Sequence, residues 1–587
     1  MKKFYSNKST ESQQTGEITT SETKSQPRIR KKWLLIALAA GSGLLSILSN
    51  SGVGVWPLAW VAWIPLLLAL KEVNTWKSAF LLGYVNGLIQ YLGTLYWIAL
   101  LAPFAETGNI FTNWLTTGTG YLAMSGYLSI YPAVFCLVVL LTYQRQRSNS
   151  IDFIPRSLAI FQLAAVWTGL EWVSEWMMSG FPWISLGYTQ WQNLPSIQIA
   201  SIFGVHGVSF VLMLFNVLLA TLFDSNWQVR VRATIPPFSV VCASLIFGWI
   251  VLTQPAKATH QVKIGLVPGN IPQSEKWNPQ NFKSIFQRYL SLLEKACSTQ
   301  LDIETENLKG ESQPVLSQNL DFLTLPETAF SSPIFSGGAN VYVHQLQQLL
   351  EEQETNLLTG VPHYVYESQE GKPKPVRKAY NTVFLLDSAG KKLGAYSKIH
   401  LVPFGEYTPF ADVLPDLIQL PTGFSPGRGY ETFPIPNWPE LRMGVAICFE
   451  SSFPDLVRQF VLEGADLLGI LTNDAWFENT PAPLQHFAMT PFRAVENRVP
   501  VFRCANGGIS CIIDRFGRQV TPIIWPNDKA SVLVHQLPLV ADANPTLSTR
   551  WGNWFPLLCF LLSVVLVAVQ VKSRGIETSS ARSVALL

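Results

Sequence analysis

Cys448 closes the apolar run Leu441-Arg-Met-Gly-Val-Ala-Ile-Cys448 and is followed by Phe449 and Glu450. A thiol attacks as its thiolate, so a reactive cysteine needs a base or a positive neighbour. Two upstream residues have the right chemistry. Glu327 follows a short apolar run in Leu325-Pro326-Glu327, and Lys398 lies in Tyr396-Ser-Lys398-Ile-His-Leu-Val-Pro-Phe-Gly-Glu406. Glu327 could take the thiol proton. Lys398, with a backbone N–H near Cys448, could hold the oxyanion of a tetrahedral intermediate. A helix starting after Cys448 would also favour negative charge there. Each residue alone has a plainer reading: a core cysteine, a turn glutamate, a solvated lysine. His400 and His486 offer a rival Cys–His pairing. His400 shares a face with Lys398 in an extended segment, whereas His486 sits on a helix face where a structural role is commoner.

These residues belong to a polar block between apolar stretches. The chain has 587 residues, 48% hydrophobic and 14% charged, against about 25% charged in ordinary soluble domains. The deficit lies in residues 33–253, while 254–550 has the composition of a soluble enzyme, so a boundary is expected near 254. Crossing a bilayer takes about 20 apolar residues. The expected spans are 33–50, 54–71, 78–101, 118–142, 157–177, 198–223, 235–253 and 554–571. Lys and Arg cluster at 28–32, Lys71, Lys77, Arg145, Arg147, Arg156, Arg230, Arg232, Lys572 and Arg574, and are missing from 102–117 and 178–197. Both ends are therefore expected in the cytoplasm and 254–553 on the other side. Glu171 and Glu175, among Trp172, Trp176 and Trp183, read as headgroup-level acids rather than buried functional ones.

Net charge is only +3, and no basic patch with interleaved aromatics appears, which argues against nucleic acid. The seven cysteines fit neither a zinc site nor a disulfide framework. Cys504 and Cys511 lie in apolar strand-like runs, where a free cysteine is a small hydrophobe.

Within the polar block, 261–267 reads as a strand and 282–293 as an amphipathic helix. Residues 321–325, 357–361 and 380–387 are strand-like, and Ser388-Ala-Gly-Lys391 turns the last into 392–397. Strand 441–447 delivers Cys448. Ser451 or Ser452 is expected to cap a helix with Pro454 in its first turn. Strand 466–472, helix 484–498 and strands near 500–513 and 519–524 follow, so an α/β sandwich is expected. The apolar segment 408–424, including Leu417 and Ile418, suits either core packing or a lid touching the outer leaflet.

The order Glu, Lys, Cys with these local strings resembles the nitrilase (carbon–nitrogen hydrolase) superfamily. With membrane helices on both sides, the chain is similar to its membrane-bound apolipoprotein N-acyltransferase family. Pro268-Gly-Asn-Ile-Pro-Gln273 with Trp277, Ser179-Gly-Phe-Pro-Trp183, Thr472-Asn-Asp-Ala-Trp476 and Arg493-Ala-Val-Glu-Asn-Arg498 extend the match, which runs from about residue 33 to 570. The resemblance implies a multi-span α-helical membrane domain plus an extracytoplasmic nitrilase-like α-β-β-α sandwich. The expected division is a tail at 1–32, about seven helices in 33–253, the catalytic domain in 254–553, a helix at 554–571 and a tail at 572–587.

It further implies Glu327 as proton acceptor, Lys398 as oxyanion stabiliser and Cys448 as nucleophile, supported by Glu406 and Glu450. Trp277, Phe449 and Trp476 would contact substrate. Phe449 stands where many members carry Tyr. The implied reaction moves an acyl chain from a phospholipid to the α-amine of a diacylglyceryl-cysteine on apolipoproteins, without metal or cofactor. It would run on the periplasmic side of a bacterial inner membrane, in a monomer. An inactive scaffold and a membrane-anchored amidase are the alternatives. The first leaves the three reactive positions unexplained, and the second leaves the many spans unexplained.

Overall fold

The computed structural model describes residues 26–104, 109–147, 156–223, 227–254, 258–299, 301–306, 312–315, 320–337, 340–368, 375–408, 423–526, 531–541 and 544–584. Hydrocarbon offers no partner for backbone N–H and C=O groups, so an apolar chain crossing it closes its hydrogen bonds within helices. Among the described residues, six helical runs are long and apolar enough to cross a membrane: Arg30–Ser49, Trp76–Phe104, Ile110–Gln146, Ala200–Thr221, Val231–Leu252 and Trp554–Lys572. Their outer faces expose large apolar side chains such as Leu44, Trp249 and Val565, as lipid-facing surfaces do. The protein is a multi-pass membrane protein.

Helix Arg156–Ser174 packs between Ala200–Thr221 and Trp554–Val584. Protein surrounds it, which lets it carry polar Gln162, Thr168 and Glu171. The expected span 54–71 is different. It forms a 3-10 turn, Trp56–Trp60, and a separate eight-residue helix, Ile64–Lys71. Each piece carries a proline, Pro57 or Pro65, in its first turn, where the missing N–H is tolerated but a continuous helix is not. Glu171 and Glu175 are both buried within the protein. Glu171 Oε1 accepts the Leu186 N–H at 2.6 Å, and Glu175 Oε1 lies 3.1 Å from His206 Nε2. Packed polar partners inside the bundle replace the water that an interfacial acid would use.

Among the described residues the polar block builds a separate two-stranded pair, Leu301–Glu306 with Ser312–Val315, and two large sheets. One has six strands in the order Leu533–Leu539, His260–Leu266, Phe322–Thr324, Leu357–Glu367, Val376–Leu386 and Lys392–Ser397. The other has five, in the order Cys511–Ile513, Val501–Asn506, Leu467–Asn473, Trp438–Ile447 and Thr432–Ile435. Val262, Ile264, Leu385 and Tyr396 of the first share one core with Met443, Val445, Ile470 and Phe502 of the second. Helices Phe282–Ser298 and Val341–Glu352 cover the outer face of the six-stranded sheet through Phe286, Leu293, Leu346 and Leu350. Helices Pro454–Leu462 and Thr490–Asn497 cover the five-stranded sheet through Val457, Phe460 and Ala494. The result is the expected α-β-β-α sandwich.

Phe492 and Val495, on the other side of Thr490–Asn497, enter the core of the membrane helices. Nearby, the buried Gln485 side chain accepts from the Trp97 and Trp183 indoles and donates to Asn50 and the Thr94 carbonyl. The sandwich is thus seated on the bundle by hydrophobic packing and a satisfied polar hub. Cys504 and Cys511 are free and buried.

Candidate active site

The parallel strands Trp438–Ile447 and Leu467–Asn473 run side by side, and the site forms where they end. Cys448 follows directly and sits at φ 54°, a left-handed conformation that costs an L-residue roughly 1 kcal/mol or more. The strand turns there into a 3-10 segment, Cys448–Ser452. That segment occupies the place of the expected serine cap. Ser451 Oγ and Ser452 Oγ donate back to the carbonyls of Cys448 and Phe449 at 2.8 and 2.7 Å, and the helix begins uncapped at Pro454.

Glu450 fastens this turn. Its Oε2 accepts the Ile447 N–H at 2.8 Å; its Oε1 accepts the Tyr396 hydroxyl at 2.8 Å and the Ile399 and His400 N–H groups at 2.7 and 3.1 Å. The chain just before Cys448 and the chain just after Lys398 are therefore held by one carboxylate.

Lys398 follows strand Lys392–Ser397 and is 1% exposed. Its Nζ lies 3.5 Å from Glu327 Oε1 and 2.9 Å from each oxygen of Glu406. Asn381 Nδ2 bridges the two acids, donating to Glu327 Oε1 at 2.7 Å and Glu406 Oε1 at 3.0 Å. Glu327 Oε2 accepts the Asn473 N–H at 2.8 Å. Burial works against the Lys398 charge, but Glu406 and Glu327 outweigh it and hold its pKa well above the ordinary lysine value. Burial pushes the Cys448 thiol far up, and Glu327 adds to that, while Lys398 and a Thr472 hydrogen bond pull the other way. A half-buried thiol, a carboxylate and an ammonium thus share one electrostatic site at the sheet ends, against the membrane-helix core.

The family model for the apolipoprotein N-acyltransferase N-terminal domain matches residues 42–218, and that for carbon–nitrogen hydrolases matches residues 271–541. An apolipoprotein N-acyltransferase of Geobacter metallireducens is 36% identical over 560 residues, covering 93% of this chain and 97% of the relative. The chain belongs to the apolipoprotein N-acyltransferase family. A relative of the same name from Chlorobaculum tepidum is 29% identical over 562 residues, 92% of this chain and 97% of its own length. Among solved structures, Saccharomyces cerevisiae Nit3 of the nitrilase superfamily aligns at 19% identity over 49% of this chain and 93% of that one, with a TM-score of 0.33.

The other expected residues have these settings. Phe449 is buried, stacked on Trp183 with centroids 6.2 Å apart and edge-on to Phe453 at 5.0 Å. Trp476 meets Phe104 edge-on at 5.9 Å, and Trp277 is 40% exposed. Leu417 and Ile418 lie outside the described residues. The two expected rival histidines have other partners. His400 packs its ring 4.1 Å from that of Phe453. His486 lies 3.2 Å from the Cys448 carbonyl and 2.9 Å from Asp474 Oδ1, and Arg503 pairs with the other Asp474 oxygen at 2.7 Å.

Three contributors have no role that the sequence assigns. Asn381 and Asn473 are polar residues inside strands, which carries no signal without the partner strand. Lys276 ends the short helix Gln273–Lys276, beside exposed Glu275 and Trp277, yet is 1% exposed and donates to the Glu327 carbonyl at 3.0 Å.

Proposed function

We propose that this protein carries out N-acylation of apolipoproteins through a thioester on Cys448, with a phospholipid as donor. The observation that carries the reading is the meeting of Glu327, Lys398 and Cys448 at one buried centre against the membrane helices. In the first step Glu327 takes the Cys448 proton and the thiolate attacks the ester carbonyl carbon. Lys398 holds the resulting oxyanion. Collapse breaks the ester C–O bond, and the proton on Glu327 passes to the departing lysophospholipid oxygen. In the second step the α-amine of a diacylglyceryl-cysteine attacks the thioester carbon, and Glu327 takes an amine proton. The C–S bond breaks and the proton returns to sulfur. Glu406 and Glu450 orient the two reactive segments, and Trp277, Phe449 and Trp476 line the approach.

The charge distribution supports cytoplasmic ends and a catalytic block, 254–553, on the periplasmic side of a bacterial inner membrane. The partners are then outer-leaflet phospholipid and lipid-modified apolipoproteins, met by a monomer. Ping-pong kinetics follow from the covalent intermediate.

Intact mass spectrometry after incubation with phospholipid vesicles tests the reading. Wild type gains one acyl chain and Cys448→Ala gains none. Absence of an adduct on wild type with common phospholipids would favour the scaffold alternative.

A further inference from the structure

Lys276 has an unusual place for a lysine. Its side chain is fully enclosed, and its ammonium makes one hydrogen bond, to the backbone carbonyl of Glu327 at 3.0 Å. Among the described residues no carboxylate lies within ion-pair distance of it. The charged and titratable groups facing it are Glu327 and the Cys448 sulfur. Lys398 is paired with Glu406 at 2.9 Å and lies 3.5 Å from Glu327, and neighbouring Glu275 is exposed. An enclosed ammonium with a single neutral acceptor is costly. A site that forms a thiolate and then an oxyanion gives such a charge something to act on.

We propose that Lys276 is a positioning residue that acts through Glu327, fixing its backbone and supplying a second buried positive charge that favours the Cys448 thiolate. The inference rests on Cys448 being the reactive thiol. Burial pulls the Lys276 ammonium down to about 7, against the pull of Glu327 and Cys448, so its charge is present below neutrality and fades above it. Lys398, held well above the ordinary lysine value, stays charged throughout. The two lysines then divide the work: Lys398 is a fixed charge, and Lys276 one that pH removes.

The test reads the thiolate directly and does not depend on acyl transfer. Alkylation of Cys448 by iodoacetamide is followed by peptide mass spectrometry on detergent-solubilised full-length protein, for wild type, Lys276→Met and Lys276→Arg. The wild-type rate is expected to exceed that of Lys276→Met about tenfold near pH 6, one pKa unit of charge interaction, and to converge with it near pH 9. Lys276→Arg, charged at every pH, is expected to keep its advantage over Lys276→Met at pH 9. A wild-type to Lys276→Met ratio that does not change with pH would leave Lys276 a purely structural residue and overturn the proposal. An alkylation result as expected, with no acyl adduct from vesicles, would sink the acyl-transfer reading and leave the role of Lys276 standing.

Discussion

Lys398 is 2.9 Å from both carboxylate oxygens of Glu406 and 3.5 Å from the nearest oxygen of Glu327. The ammonium is paired with one acid and only adjacent to the other. Glu327 instead spends its oxygens on Asn381 and the Asn473 N–H. That asymmetry suits the proposed roles: a base fully neutralised by its own lysine would accept a proton poorly, while a buried lysine with no paired acid would lose its charge as pH rises through neutrality.

Glu406→Gln removes the pairing acid and keeps the side-chain shape. Lys398 is then expected to swing onto Glu327 and blunt it as a base. Thioester formation should slow by about 10²-fold, the lower end of what a positioned acid–base group supplies. Single-turnover appearance of the acyl adduct measures this. An unchanged rate would mean that Glu406 does not hold Lys398 away from Glu327.

Glu450 accepts four donors, from Tyr396, Ile399, His400 and Ile447. Gln at this position turns one acceptor into a donor facing N–H groups. Glu450→Gln is expected to cost about 3 kcal/mol of stability, as leaving buried polar groups unpaired does. Tyr396→Phe, which deletes one hydrogen bond, should cost nearer 1 kcal/mol. Thermal unfolding in detergent compares them. Equal melting temperatures for the two variants would show that the backbone donors find other partners.

The strand ends were legible from alternation and turn residues, and Glu327, Lys398 and Cys448 each follow a strand closely. Their common location depends on the six- and five-stranded sheets facing each other, which no single segment encodes. Asn381, Asn473 and Lys276 were hidden for the same reason: each looks like a surface residue until the opposing strand or loop is in place. Hydropathy misread 54–71 because a window average does not register that Pro57 and Pro65 each start a new helix. The serine cap was misplaced because the turn imposed by Cys448 at φ 54° takes those residues first. The burial of Glu171 and Glu175 is not legible from the sequence because their partners, the Leu186 N–H and His206, are remote along the chain.

Asp474 supports the floor of the site. Burial alone would raise its carboxyl, but His486 and Arg503 outweigh it and hold it down to about 2. Asp474→Asn leaves the buried Arg503 guanidinium without its counterion, so a loss of about 3–5 kcal/mol is expected. The pH sign follows from a carboxyl depressed in the folded state. Its contribution is complete above the unfolded value of about 3.9 and is lost as pH falls through about 2. The melting difference between wild type and variant should therefore be flat from about pH 5 to 8 and shrink only below about pH 4. A difference that vanished near neutrality would place the titration on His486 instead.

His400 is the remaining rival partner for the thiol. Burial first, and then the Lys398 charge, hold its imidazole down to about 4, so it is neutral near pH 7. A thiolate–imidazolium pair needs a histidine that accepts a proton readily, and this one does not. Its ring faces Phe453 at 4.1 Å and Phe449 at 5.7 Å, and only its backbone N–H joins the Glu450 network. Phe at this position preserves the ring packing and that N–H. His400→Phe is therefore expected to form the Cys448 adduct within about threefold of the wild-type rate, as shape-conserving swaps allow. Its pH profile should overlay that of wild type across the range where an ordinary histidine titrates, about 5.5 to 7.5. A hundredfold loss, or a limb near pH 6.5 present in wild type and absent in the variant, would return the proton to a histidine and take it from Glu327.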